Sequence, residues 1–169
     1  MYSKEIAVSI EKFMSKKINK NHYNFNDEKG VFSYNFIPDC KIKSVYCMVF
    51  VEETLFHVIS VLDLKIADEN VETMLNYLNE INQYLDYTKF VFNSEKKEIY
   101  CKCCTNCKDI TLTDEIISRS LHEGVHLVKI FGDFLYDIAE GREIDREAFQ
   151  TLISNETPNR DTNEKYNIM

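Results

Sequence analysis

Seven consecutive apolar residues, Val45 to Val51, sit inside a chain of 169 residues, and no other feature narrows its possible folds as much. The run is far short of the ~18 apolar residues that a membrane-crossing helix needs. Its length and its β-branched and aromatic content are those of a strand. Successive strand residues point to opposite faces. Across Ser44–Glu52, Val45, Cys47, Val49 and Val51 therefore share one face, and Tyr46, Met48 and Phe50 share the other. Neither set suits water, so the strand is predicted to need cover on both sides.

A second such strand follows almost at once. From Thr54 to Leu64, Leu55, His57, Ile59 and Val61 lie on one side and Phe56, Val58, Ser60 and Leu62 on the other. The gap between the two runs admits only a tight hairpin, which fixes their register. An earlier strand is predicted over Val31–Ile37, where Phe32, Tyr34 and Phe36 alternate with smaller or polar residues until Pro38. The polar stretch Asn19–Gly30 before it reads as a loop.

Helical spacing surrounds these strands. Ile6, Ile10, Phe13, Met14 and Ile18 recur at three- and four-residue steps behind Ser3, a suitable N-cap. After Asp68, Val71, Met74, Leu75, Leu78, Ile81 and Leu85 form one stripe, with Asn76, Asn79 and Asn82 on the polar side. Two more strands, Lys89–Asn93 and Glu98–Cys104, flank the turn Ser94–Lys97. Thr113-Asp-Glu then opens a long helix that reaches about Glu140 and stops at Gly141. The expectation is an α+β fold: an antiparallel sheet of about five strands in the order α-βββ-α-ββ-α. One domain spans 1–141, a short helical extension built on Ile144, Ala148, Phe149, Leu152 and Ile153 spans 142–155, and a polar, disordered tail spans 156–169.

The sequence carries a formal charge of −8, which disfavours nucleic-acid partners, since those are held largely by clustered Lys and Arg. No stretch suits a bilayer span. Met1–Lys20 alternates apolar residues with Lys and Glu and lacks the apolar block of a secretory signal, so a cytoplasmic location is expected. Six cysteines are then read as reduced thiols, because four crowd into Cys101–Cys107 where strand neighbours bridge poorly.

The order of elements, together with Leu78-Asn-Glu-Ile-Asn82, Lys89-Phe-Val-Phe92, Glu98-Ile-Tyr100 and the helix start Leu112–Glu115, resembles the YbjN-type family of sensory-transduction regulators, whose fold is similar to that of type III secretion chaperones. The resemblance covers Ser3 to Gly141. It implies a non-enzymatic adaptor, chaperone-like or regulatory domain that often pairs with itself, and it brings no catalytic residues. The cysteine-rich last strand and the segment after Gly141 depart from the family pattern.

Two constellations carry possible chemistry. His122-Glu123-Gly124-Val125-His126 matches H-E-x-x-H, in which two histidines one turn apart bind zinc and the glutamate activates a bound water. At ~100° per residue, however, Ile117, Leu121, Val128, Phe131, Phe134, Leu135 and Ile138 gather into one apolar stripe. His122 and His126 fall nearly opposite it, with Lys129 and Asp133. Lys129 and Gly132 break the extended metzincin pattern, and Glu143 and Glu147 lie beyond the helix stop. The second constellation is Cys101, Cys103, Cys104 and Cys107, whose last pair has C-x-x-C spacing. Alternation puts Cys101 and Cys103 on one face and Cys104 on the other, so a four-thiolate cage requires the strand to break. His57, on an apolar strand, reads as a hydrogen-bonded core histidine.

The leading expectation is a cofactor-free protein-interaction domain that forms a homodimer or receives a protein partner on a sheet face or helix groove, with Val45–Val51 as the candidate surface. The alternatives are a zinc-dependent hydrolase or peptidase using His122, Glu123 and His126, and a thiol or zinc site at Cys101–Cys107.

Overall fold

The computed structural model describes residues 1–17 and 22–156. The first helix, α1 (Lys4–Lys17), begins where capping chemistry says it should: Ser3 Oγ accepts the Ile6 amide at 3.3 Å. Ile18, read as its last apolar position, lies outside the described residues, as does the chain from 157 on.

Six strands form one sheet: β1 (Tyr23–Asn26), β2 (Val31–Phe36), β3 (Val45–Val51), β4 (Leu55–Leu62), β5 (Thr88–Asn93) and β6 (Glu98–Asn106). Their spatial order is β1-β2-β3-β4-β6-β5, and every pairing is antiparallel. The sheet is thus one strand larger than expected. The addition is β1, in the stretch read as a loop. There Tyr23 and Phe25 alternate with Asn24 and Asn26, and Phe25 stacks on Phe32 with centroids 4.1 Å apart. Gly30, at φ +65°, turns the chain into β2.

The remaining helices are α2 (Val71–Tyr84), α3 (Asp114–Ala139) and α4 (Arg146–Glu156). Asp68 opens a short 3-10 turn before α2, and Asn70 is the N-cap position of α2. At α3 Thr113 Oγ1 accepts the Ile116 amide at 3.3 Å. Gly141, at φ +69°, follows that helix as a C′ residue. The extension after Gly141 docks into the core: Phe149 and Ile153 are buried, Tyr77 and Phe134 meet the Phe149 ring edgewise, and Arg146 pairs with Glu80 at 2.6 Å.

All four α-helices among the described residues pack on one face of the sheet. Under α1 and the start of α3 lie Phe32, Val49, Val51, Phe56, Val58 and Cys103. Under the rest of α3, with α2 and α4, lie Val45, Cys47, Leu62, Phe90, Ile99 and Cys101. These are the inward residues of each strand, as the register requires: Cys47 faces Ser60, which faces Cys101.

Candidate functional site

The H-E-x-x-H segment is a packing device in this fold. Gly124 lies over the small residues of the sheet, and a Cβ on it would come within 2.8 Å of Ser60 Oγ and 3.2 Å of Cys101 Cβ. α3 can therefore rest on β4 and β6 only through a glycine. Leu121, Val125 and Val128 are buried around it. His122 and His126 are exposed, as the helical spacing predicted. The His122 Nδ1 hydrogen bonds to the Ser118 carbonyl at 2.7 Å, one turn back along its own helix. Because that partner only accepts, Nδ1 carries the proton. Glu123 is half-buried and turned toward β6, where its charge acts on Cys101 and Cys103.

The cysteines are divided by the sheet. Cys101 and Cys103 are buried on the helical side, Cys104 is exposed on the opposite face, and Cys107 is half-buried beyond the strand end. β6 runs unbroken through Cys104 to Asn106, so the kink that a four-thiolate cage needs is absent. Burial, then the neighbouring Cys47 and Glu123, holds the Cys101 thiol well above its ordinary value of 9.0. Burial likewise raises Cys47, whose Sγ lies 3.6 Å from Ser60 Oγ. Such thiols are protonated, and in effect small apolar side chains. Among the described residues no three His, Cys, Asp or Glu side chains converge to hold a metal ion.

What remains is the other face of the sheet. Register places three rows of side chains there. The first runs Val91, Tyr100, Val61, Tyr46, Asn35; the second Lys89, Lys102, Ile59, Met48, Ser33, Asn24; the third Cys104, His57, Phe50, Val31, Asn26. No described helix lies over them. α2, one of the elements that could have covered this side of β3, packs with the others on the helical side. Tyr46 is 44% exposed, and Met48, Phe50, Ile59 and Val61 are half-buried among their neighbours on the sheet. The seven-residue run thus splits: Val45, Cys47, Val49 and Val51 are core, and Tyr46, Met48 and Phe50 form an open surface.

His57 belongs to this open face rather than to the helical core. Its Nε2 lies 3.2 Å from Glu52 Oε1, while Nδ1 is buried and unpaired. Beside Tyr46 and Phe50, the face dips into a shallow depression of about 530 Å³ lined by Asn24, Asn26, Lys29, Val31 and Ser33.

The β5 edge of the sheet differs from this face in being guarded. The Asn82 carboxamide on α2 accepts the Phe90 amide and donates to the Phe90 carbonyl, both at 2.8 Å. It stands where a neighbouring strand would pair with β5. Lys89 Nζ in turn donates to the Asn82 carbonyl at 2.7 Å and to the Leu85 carbonyl, capping the end of α2. The late asparagine of α2 and the start of β5, two of the features behind the family resemblance, are thus joined by a direct physical link.

No protein-family model matches the chain, and no curated protein matches it by sequence. The class is therefore set by the fold: an α+β protein whose described residues form four α-helices on one face of a six-stranded antiparallel sheet. No described helix is long and apolar enough to cross a membrane.

Proposed function

We propose that this is a non-enzymatic protein-interaction domain, chaperone-like or regulatory in character, that works in the cytoplasm through the open face of its sheet. One observation carries the reading. An antiparallel sheet covered on one side normally alternates apolar-in and polar-out, yet the two central strands present Tyr46, Met48, Phe50, Ile59 and Val61 outward. Contiguous apolar surface of this kind marks a contact site. The element order leading to α3, apart from β1, supports kinship with the YbjN-type and secretion-chaperone-like folds.

The test replaces Tyr46, Met48 and Ile59 together by threonine, which keeps β propensity and removes the apolar surface. The triple variant is expected to unfold cooperatively near the wild-type midpoint while losing the wild type's binding of an apolar fluorescent dye. A variant that fails to fold would show these residues to be core and sink the reading.

A further inference from the structure

We infer that Cys104, His57 and Glu52 form a thiol-exchange site on the open face, where a low-molecular-weight disulfide is captured as a mixed disulfide that closes the face to its partner. The site stands on its own geometry, and only its effect on contact rests on the reading above.

Cys104 is the only exposed thiol of the six. It stands on β6 directly opposite His57 of β4, on the side away from the helices. Side chains paired in this way have Cβ atoms ~4.5–5.5 Å apart. Rotation about one bond of the cysteine closes that gap to thiol–imidazole contact. Lys102, two residues back on the same face, adds a positive charge, the setting in which thiols act as nucleophiles.

The imidazole is prepared for the thiol's proton. Glu52 follows the last residue of β3 and reaches His57 from that side, with Oε1 3.2 Å from Nε2. A carboxylate only accepts, so Nε2 carries the proton of the neutral ring and the lone pair is on Nδ1. Nδ1 is buried and has no hydrogen-bond partner among the described residues. A buried acceptor left unpaired is costly to a fold, and its place opposite the exposed thiol gives it a use. Nucleophile, base and orienting carboxylate thus follow one another from β6 through β4 to the end of β3.

Exchange conserves atoms and electrons. The Cys104 sulfur attacks one sulfur of the small disulfide as its proton passes to His57 Nδ1. A new S–S bond forms, the old one breaks, and the departing thiolate takes the proton from the ring and leaves as a thiol. Cys104 is oxidised and the leaving sulfur is reduced. The adduct stands in the row that continues through His57 to Phe50, so it covers one end of the apolar strip.

Oxidised glutathione at about pH 7 is the probe, with adducts located by mass spectrometry. Cys104 of the native protein should react about tenfold or more faster than the same cysteine in the urea-unfolded chain. His57→Ala should slow the reaction about tenfold or more, and free imidazole should restore that variant while leaving the wild type little changed. Glu52→Gln should slow the wild type severalfold yet have no further effect beside His57→Ala, as a residue that positions the base must. The adduct should cut binding of the apolar dye by about half or more, and reduction should restore it. A native Cys104 no faster than the unfolded one overturns the inference, as does a rate indifferent to His57→Ala or a variant that imidazole does not restore. An adduct that leaves dye binding intact overturns the effect on contact. A reduced wild type that binds no dye fails the contact reading instead, and the rates still decide the thiol site.

Discussion

Replacing Gly124 by alanine separates the packing and catalytic readings of the H-E-x-x-H segment. In an exposed helix the change would stabilise by about 1 kcal/mol through propensity alone. Here the new methyl would sit 2.8 Å from Ser60 Oγ, 3.2 Å from Cys101 Cβ and 3.3 Å from Ser60 Cβ. A serine hydroxyl can rotate away, at the cost of its contact with Cys47, but the two Cβ atoms move only with the strands that carry them. Overpacking of this kind costs about 1–3 kcal/mol. With the propensity gain set against it, a net loss of up to about 2 kcal/mol is expected, which for a chain of this size lowers Tm by up to about 8 °C. Thermal unfolding followed by circular dichroism measures it, with Ser60→Gly in the Gly124→Ala background as the relief that should recover most of the loss. His122→Ala and His126→Ala, on the outer side of the helix, should each change stability by less than about 1 kcal/mol. A Gly124→Ala protein more stable than wild type would refute the close helix–sheet approach.

Asn82→Ala leaves the Phe90 amide and carbonyl without their partner and is expected to cost about 1–3 kcal/mol in urea unfolding. It should also raise aggregation by exposing the β5 edge; equal solubility and stability would contradict the guarding role. Thiol labelling of the dilute native protein should begin at exposed Cys104, with buried Cys47 and Cys101 reacting only after unfolding. Prompt labelling of Cys101 would contradict its place beneath α3. The alkaline limb of stability follows from the same burial. Cys47 and Cys101 are raised above 9.0, chiefly by burial, and Tyr34 is raised well above 10.0 for the same reason. Between the unfolded and folded values the unfolded chain binds fewer protons, so their contribution is intact below about pH 9 and is lost as pH rises beyond it. Denaturation midpoints at pH 8 and pH 10 should fall in that order, and a midpoint that climbs would reverse the sign.

The parts of this fold that were legible in sequence are those where one period dominates. The β3–β4 pair alternates over long runs, and α3 repeats its apolar stripe for seven turns, so their faces could be assigned before the structure was known. β1 was missed because four residues, two of them asparagine, cannot display alternation against the polar stretch around them. Its stability comes from Phe25 stacking on Phe32, a contact between strands that no local pattern encodes. The cysteine split was legible, because parity alone separates Cys104 from Cys101 and Cys103. His57 was misplaced for a related reason. Both faces of β4 are apolar, so parity could not say which of them meets the helices.

That ambiguity is also the strongest physical clue to function. β1, β2 and β6 obey the one-sided rule, turning Asn24, Asn26, Ser33, Asn35, Lys102 and Asn106 outward. The two central strands break it over their whole length, and Val31, Tyr100 and Val91 on the flanking strands extend the apolar strip. Cross-strand pairing could be offered as the reason, since Tyr46–Val61, Met48–Ile59 and Phe50–His57 stand directly opposite one another. Each such pair contributes about 0.2–1 kcal/mol, so the three together supply at most about 3 kcal/mol. Threonine pairs on a pleated surface recover part of that sum without a wet apolar patch. The stability of the lone chain therefore gives little reason to keep methionine and tyrosine outward at the midline. Full burial of a side chain of that size yields about 1.5–3 kcal/mol, and these residues can realise it only against another surface. If the triple threonine variant loses less than about 2 kcal/mol of folding stability and no longer associates, the apolar strip is retained for contact. A loss well beyond 3 kcal/mol would mean that the strip supports the sheet itself.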